Sequence, residues 1–270
     1  MSASDRPPRR KRFGQHFLHD PAILDRIVAA LDPKPADHLV EIGPGRGALT
    51  RLLANRAASL DAIEIDRDLA ALLDSELGHP EGFTLHAADA LEFDFDALAS
   101  ARGGRLRIVG NLPYNISTPL LFHLLDYAGS IEDMHIMLQR EVAERIAAGP
   151  GDSEYGRLSI MLAPWVSVDW LLDVGPGAFQ PPPRVWSAVI RLTVRPQPSF
   201  PVSPHFAQVV STAFAQRRKT LRNSLRELIS LEQIQACSVD PGVRPEMLPP
   251  EAFNALAATL DALPAGPDLS

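Results

Sequence analysis

Hydrophobic and polar residues follow two different spacings between residues 38 and 139. Short runs rich in β-branched and apolar residues alternate with segments whose apolar residues recur every three to four positions. The first spacing is typical of strands and the second of amphipathic helices. Strands that alternate with helices predict βαβ units and a mostly parallel sheet. The predicted strands are 38–43, 60–66, 83–89, 106–111 and 134–138, with helices such as 48–55, 67–77 and 119–127 between them.

The pattern changes after residue 164. Two strand-like runs, 166–174 and 186–194, flank a connection rich in proline and glycine, and we expect them to pair at the sheet edge. Four prolines in 195–204 indicate a domain boundary. We therefore predict an α/β domain over 1–200 and a small helical domain over 201–270. Helical spacing in the second domain covers 205–215, 219–230 and 250–262.

Composition narrows the class of protein. The chain has 270 residues, 46% of them hydrophobic, which is enough to fill a core and excludes global disorder. We expect no membrane span and no signal peptide, because no apolar stretch is long enough. The single cysteine, Cys237, cannot form an internal disulfide, which fits a cytoplasmic protein. The histidines lack metal-ligand spacing, so we predict no metal.

Taken alone, the net charge of −7 disfavours a nucleic-acid partner, but the charge is unevenly distributed along the chain. Residues 1–12, predicted to be a mobile tail, carry a net +4, and residues 216–226 carry +5. The remainder therefore carries −16. Basic segments of this kind suit contacts with an RNA backbone. The candidate RNA-binding residues are Arg10, Lys11, Arg12, Arg217, Arg218, Lys219 and Arg222.

A glycine cluster, GPGRG at 43–47, ends the first predicted strand and opens the first helix. Glycines let the backbone approach a ligand closely, and the helix N-terminus offers free N–H groups. Ligands of open α/β sheets bind at the carboxyl ends of the strands, where this turn lies. Gly43 and Gly45 are therefore predicted to bind a cofactor.

Two acidic residues lie in the last part of later predicted strands. Glu64 lies 21 residues after Gly43, where a carboxylate would accept hydrogen bonds from ribose hydroxyls of either a nicotinamide dinucleotide or S-adenosylmethionine. Asp89 closes the third predicted strand, where its carboxylate could accept a hydrogen bond from an adenine amino group or simply cap a helix. These two residues leave the choice of cofactor open.

The tetrapeptide Asn111-Leu112-Pro113-Tyr114 at the end of the fourth strand narrows the chemistry. The exocyclic amine of adenine is a poor nucleophile because its lone pair is delocalised into the ring. The Asn111 side-chain oxygen and the Leu112 carbonyl could accept its two N–H groups, on a turn stiffened by Pro113. Tyr114 could stack on the base, which is worth about 1–3 kcal/mol in single-stranded nucleic acid. Behind a glycine loop and an acidic second strand, this element favours methyl transfer to adenine.

With these motifs in order, the sequence resembles the ribosomal RNA adenine dimethyltransferase family over about residues 10–262, and within it the branch that acts on small-subunit (16S) RNA. The resemblance implies a Rossmann-like S-adenosylmethionine-dependent methyltransferase domain followed by the helical domain. It also implies dimethylation of adenosines in 16S RNA of the 30S subunit or its precursor, by an enzyme that we expect to be monomeric. The matching segments are RKRFGQHFL (10–18), EIGPGRGALT (41–50), AIEIDRDL (62–69), DAL (89–91), GNLPYNIS (110–117), F-x-P-x-P-x-V-x-S-A-V (179–189) and A-F-x-Q-R-R-K-T-L-R-N (213–223), where x marks a position that carries no part of the match.

The resemblance implies roles for further residues. Phe179 would be the second stacking face for the target adenine, opposite Tyr114. The cofactor site would comprise His16, Leu18, Gly43, Glu64, Asp89 and Asn111. The family often has asparagine where this chain has His16; a contact through backbone atoms would survive that difference, whereas one through the side-chain amide would not.

Three alternatives remain at this point. The related methyltransferases of large-subunit (23S) RNA share the motifs, and a non-catalytic ribosome-assembly or transcription factor could retain the fold. The third is a nicotinamide dehydrogenase, which has no need for the element at 111–114.

Overall fold

The computed structural model describes residues 16–78, 80–113, 116–216 and 218–261. Backbone packing divides the chain into two compact units. The first unit runs to Ala143 and resumes over Ser167–Gln197, and the second comprises Glu144–Val166 and the chain from Pro198 onward. The sequence pattern placed Glu144–Val166 in the first domain; in the structure Tyr155 and Ile160 from this segment are buried in the core of the second unit. The two-domain division at residue 200 stays a prediction.

Among the described residues, the first unit contains one sheet of seven strands. The strands are β2 (His38–Ile42), β3 (Ser59–Ile63), β4 (Phe83–His86), β5 (Leu106–Asn111), β6 (Ile131–Gln139), β7 (Val166–Val174) and β9 (Ser187–Val194). Their order in the sheet is β4-β3-β2-β5-β6-β9-β7. The pairs from β4 through β6 are parallel, and β9 is antiparallel to β6. Two short strands, β1 (Phe17–Leu18) and β8 (Phe179–Gln180), pair separately.

The strand order creates a switch point between β2 and β5. The chain adds β3 and β4 on one side of β2 and then returns to place β5 and β6 on the other. Loops that leave the carboxyl ends of β2 and β5 therefore diverge and open a crevice. The backbones of β2 and β5 leave no room for a side chain at Gly110, where a Cβ atom would lie 2.5 Å from the Ile42 carbonyl oxygen.

Helices of the first unit pack apolar residues toward the sheet. Helix α1 begins after Asp20, whose carboxylate accepts hydrogen bonds from the backbone N–H groups of Ala22 and Ile23. Its buried residues, Leu24, Ile27, Val28 and Leu31, have the spacing of one helical face. The helices are α1 (Pro21–Leu31), α2 (Thr50–Leu53), α3 (Arg67–Leu77), α4 (Phe95–Arg102), α5 (Ser117–Asp126) and α6 (Arg140–Ala147), the last of which continues into the second unit.

The predicted elements of the first unit are present with small shifts. Segment 106–111 and helix 67–77 match β5 and α3 at both ends, whereas the predicted strands at 60–66 and 83–89 end three residues earlier in the structure. Those last residues belong to the site loops that follow the strands. Strands β7 and β9 are neighbours with β7 at the sheet edge, as the sequence predicts. Helices α1, α4 and α6 were not predicted.

The second unit is helical and has its own core. Its elements are α7 (Arg157–Leu162), α8 (Phe206–Ala213), α9 (Leu221–Leu225), α10 (Leu231–Ala236) and α11 (Pro250–Asp261). Phe206, Phe253 and Leu225 are almost fully buried in this core. The predicted helix over 219–230 is shorter than expected, because α9 ends at Leu225. In neither unit does any helix of the described residues have the length and apolar character needed to cross a membrane.

Candidate functional site

A cavity of about 350 Å³ lies at the carboxyl ends of the central strands in the first unit. Its size is within the range of small-molecule sites, and it opens at the switch point where such sites form. All seven residues predicted to bind the cofactor line it: His16, Leu18, Gly43, Gly45, Glu64, Asp89 and Asn111. Leu112 and Pro113 also line it.

The glycine loop after β2 has a conformation that other residues adopt with strain. Gly43, Gly45 and Gly47 all have positive φ, at 68°, 56° and 71°. The ring of Phe17 lies against Gly45, so that a Cβ atom there would approach two ring carbons at 3.1 Å. Glycine is therefore needed both for the turn and for close packing against β1.

Glu64 holds this loop in place. One carboxylate oxygen accepts a hydrogen bond from the Gly45 backbone N–H at 3.0 Å, and the other accepts one from the Asp66 N–H at 2.9 Å. The side chain is only 5% exposed, and burial raises the pKa of its carboxyl group. Each oxygen retains acceptor capacity, so the residue can order the loop and still bind ligand hydroxyls. Asp66, in turn, caps α3.

Asp89 is fixed by its own turn. Its Oδ1 accepts a hydrogen bond from the Leu91 N–H at 2.9 Å, and its carbonyl accepts one from the Glu92 N–H at 3.1 Å. The side chain is half-buried at the cavity wall. A carboxylate held in this way can accept a hydrogen bond from an amino group in the cavity.

Two buried ionisable residues of the cavity were not predicted from the sequence. Glu41 is 3% exposed, its Oε2 has no hydrogen-bond partner within the described structure, and burial, together with the nearby Glu64, raises its pKa to about 7. His135 is 1% exposed, with Nδ1 3.6 Å from an Asp133 carboxylate oxygen. Both pair with Val109 across the sheet and so share a face. A charged residue within an otherwise apolar strand was the available signal for Glu41.

Asn111 is the last residue of β5, beside Gly43. Its side-chain Nδ2 donates a hydrogen bond to the His16 carbonyl at 3.0 Å, and this fixes the amide so that Oδ1 is its remaining acceptor. The following residue, Leu112, is buried and donates its N–H to the Met137 carbonyl. The turn that follows the strand is thereby anchored to β6.

The segment at residues 16–18 is held by a part of the chain 165 residues away. The His16 ring donates from Nδ1 to the Pro181 carbonyl at 2.9 Å, and Leu18 pairs with Phe179 between β1 and β8. His16 therefore meets Asn111 through its backbone, and its side chain is used to bind the 179–183 loop. A backbone contact of this kind survives the replacement of asparagine by histidine.

Phe179, which the resemblance assigns as a stacking face for the target adenine, does not line the cavity in the structure. It is 2% exposed and belongs to the hydrophobic core of the first unit. The aromatic ring gains more from packing against the apolar residues of that core than from exposure in the loop. Tyr114, proposed as the opposite stacking face, lies outside the described residues.

The basic residues predicted to bind RNA fall partly outside the described residues, where Arg10, Lys11, Arg12 and Arg217 lie. In the second unit Arg218 and Arg222 are exposed and Lys219 is half-buried. Leu221 and Leu225 of the same segment are fully buried, so α9 is amphipathic as predicted. Within the described ranges, no group of three His, Cys, Asp or Glu side chains is placed to hold a metal ion.

A family model described as ribosomal RNA adenine dimethylase matches residues 8–261. The chain belongs to this family. Family membership confirms the resemblance and the Rossmann-like methyltransferase fold predicted from the sequence. The family consists of S-adenosylmethionine-dependent rRNA adenine dimethyltransferases, so the predicted enzyme class is confirmed as well.

Similar proteins include two curated bacterial relatives, both named ribosomal RNA small subunit methyltransferase A. The one from Pseudomonas aeruginosa is 54% identical over 257 residues, covering 94% of this chain and 96% of the relative. The one from Thiobacillus denitrificans is 54% identical over 253 residues, covering 93% and 97%.

Two solved structures share the fold. A dimethyladenosine transferase from Plasmodium falciparum superposes with a TM-score of 0.76 at 24% identity, covering 91% of this chain and 98% of that one. The 23S rRNA methyltransferase ErmE gives a TM-score of 0.71 at 27% identity, covering 91% and 99%.

Proposed function

We propose that this protein transfers methyl groups from S-adenosylmethionine to N6 of two adjacent adenosines in a hairpin of 16S ribosomal RNA. The product is N6,N6-dimethyladenosine, formed during biogenesis of the small subunit. The names of the relatives at 54% identity support the small-subunit substrate. The observation that carries the chemistry is that Asn111 and Leu112 line the same cavity as Glu64 and Asp89.

The residues present fit S-adenosylmethionine, a cationic nucleoside. Glu64 would accept the ribose hydroxyls, and Asp89 would accept the adenine amino group. The glycine loop leaves room for close backbone approach. Glu41 offers a buried carboxylate oxygen without a partner in the described structure, which suits a positively charged group. When bound, the cofactor supplies an electrophilic methyl group on a sulfonium.

At the target base, the chain's own groups position and polarise the adenine amine. The Asn111 Oδ1 and the Leu112 carbonyl would accept its two N–H groups and favour a nitrogen with a usable lone pair. The hydrogen bond from Asn111 Nδ2 to His16 keeps the amide in the required orientation. No strong base is needed if the proton leaves after methyl transfer, so the main contribution is alignment of a flipped base for direct in-line displacement.

RNA contact is assigned to the basic segments. Arg218, Lys219 and Arg222 would neutralise backbone phosphates, together with residues 10–12 and 217, which lie outside the described residues. We further propose that the protein acts as a cytoplasmic monomer on 16S RNA within the 30S subunit or its precursor. Tyr114 and Phe179 stay proposals as stacking faces; Phe179 would have to leave the core to serve.

An assay with Asn111→Ala tests this function. Methyl transfer to 30S subunits that lack dimethyladenosine should fall by about 100-fold or more, since a preorganised polar contact at the reacting group contributes at this scale. Mass spectrometry of adenine modifications in 16S RNA gives the readout. A wild-type rate in the variant would refute the active-site assignment.

The 23S alternative is tested in parallel. ErmE, named for 23S RNA, is similar at 27% identity. Isolated 30S subunits and 23S RNA are offered separately to the wild-type enzyme, and we expect dimethyladenosine only in the 30S sample. Dimethylation of 23S RNA alone would reassign the substrate.

A further inference from the structure

Trp186, in the loop before β9, is more exposed to solvent than tryptophan side chains usually are. It is 53% exposed, its neighbour Val185 is 44% exposed, and Arg184 beside them is also exposed. Tryptophan is on average a highly buried residue, so an exposed one on a loop needs a reason. We call Arg184, Val185 and Trp186 the Trp186 patch.

The backbone and the ring of Trp186 are both held. The Trp186 carbonyl accepts a hydrogen bond from the Arg140 N–H at 2.9 Å, and the next residue, Ser187, pairs with Gln139 in the sheet. The six-membered ring packs on Gly175, where a Cβ atom would lie 3.6–3.8 Å from three ring carbons. A ring fixed in this way loses little conformational entropy when another flat ring stacks on it.

The loop that carries the patch is joined to the wall of the methyl-transfer cavity. Strand β8 of this loop pairs with β1, and the Pro181 carbonyl accepts the hydrogen bond from the His16 ring. His16 and Leu18 line the cavity. The Trp186 patch is thus three to five residues along the chain from a loop residue that contacts the cavity wall.

Charge distinguishes this tryptophan from another exposed one. Arg184 has no ion-pair partner among the described residues. Trp170, 38% exposed on β7, instead follows Asp169, whose carboxylate is already paired with Arg191 at 2.9 Å. An aromatic ring beside an available guanidinium suits a nucleotide, whose base stacks and whose phosphate pairs with the cation.

We propose that the Trp186 patch binds the substrate RNA, with an unpaired base near the target adenosines stacked on Trp186 and its phosphate on Arg184. This inference rests on the proposed function and adds a substrate-positioning surface to it. Stacking of one base on one aromatic side chain is worth about a factor of 5 to 150 in affinity. The contact would hold the RNA strand while the target base enters the cavity.

The kinetic test compares Trp186→Ala, Trp186→Phe and the matched control Trp170→Ala on 30S subunits that lack dimethyladenosine. We expect Trp186→Ala to raise KM about tenfold with little change in kcat, Trp186→Phe to restore most of the loss, and Trp170→Ala to have no effect. Equal effects of the two alanine variants, or no rescue by phenylalanine, would overturn the proposal. Unchanged S-adenosylmethionine affinity in all three variants shows that each is folded.

A binding test separates RNA from protein as the partner. A short single-stranded RNA with two adjacent adenosines should quench the tryptophan emission of the wild type and of Trp170→Phe, and quench that of Trp186→Phe much less. If Trp186→Ala raises KM for 30S subunits but leaves affinity for this RNA unchanged, the patch contacts a ribosomal protein and the proposal is wrong. If the wild-type enzyme forms no dimethyladenosine at all, the proposed function fails instead.

Discussion

The charged residues of the cavity and those of the second unit are held in opposite ways. In the cavity, Glu41 and Glu64 are at most 5% exposed, and Glu64 is fixed by two backbone N–H groups. In the second unit, Arg218 and Arg222 are exposed and have no ion-pair partner among the described residues. One set is buried, acidic and preorganised, and the other is solvated and basic.

This difference separates two kinds of recognition. A buried carboxylate costs free energy in the folded protein, and a ligand that pairs with it relieves part of that cost, so the site is selective in geometry and charge. Exposed cations cost little and gain affinity from counterion release, which is sensitive to salt and tolerant of geometry. A net charge of −7 for the whole chain conceals both arrangements.

The largest effect is expected from Glu64→Gln. The amide would present one donor where both carboxylate oxygens now accept backbone N–H groups, so the glycine loop and the ribose contact are disturbed together. Hydrogen bonds to charged groups contribute about 1.5–3 kcal/mol, so S-adenosylmethionine affinity should fall by about 10- to 150-fold in calorimetry. Glu81→Gln, at an exposed turn position before β4, is the control and should bind normally. A change of less than threefold in Glu64→Gln would show that the carboxylate is not used.

The buried carboxyl group of Glu41 should make stability depend on pH. Its pKa of about 7 in the folded protein lies above the ordinary value of 4.5, so the folded state binds the proton more tightly than the unfolded state does. Its contribution is therefore fully present below about pH 4.5 and is lost as pH rises through 7, by about 3 kcal/mol in total.

Glu41→Gln removes this dependence. In urea unfolding of the cofactor-free protein, the variant should gain stability relative to wild type between pH 5 and pH 8. Glu132→Gln, at an exposed position of β6, controls for the loss of one charge. A stability difference between Glu41→Gln and wild type that is the same at pH 5 and pH 8 would rule out burial as the dominant influence on this group.

Residues at the ends of successive strands could be placed from the sequence because the topology brings them together. Glu64 and Asp89 follow strands of the parallel part of the sheet and Asn111 ends one, and the carboxyl ends of such strands meet at one edge. Local spacing was enough to predict that Gly43 and Gly45 share this edge. These placements follow from the order of the elements along the chain and require no knowledge of contacts between distant segments.

Contacts between distant segments could not be predicted in the same way. The hydrogen bond from His16 to Pro181 joins residues 165 positions apart, and no local pattern encodes it. The orientation of the Phe179 ring could not be predicted either. The surrounding prolines indicate a loop, but they do not show that the ring packs into the core. Glu41 and His135 were missed because strand periodicity does not reveal which buried face borders a cavity.

The smallest effect is expected from the exposed cations of the second unit. It tests whether they contribute through counterion release rather than through a preorganised contact. Replacing Arg218 and Arg222 with glutamine should weaken binding to 30S subunits mostly at low salt, with cofactor affinity unchanged. The slope of log affinity against log salt should become shallower by about 0.7 to 0.9 for each cation removed. Arg226→Gln is the matched control from the same segment, because its guanidinium is already 3.2 Å from the Glu227 carboxylate. If the Arg226 variant lowers the slope as much as the other two, the effect reflects overall charge, and the specific assignment of Arg218 and Arg222 to phosphate contacts is wrong.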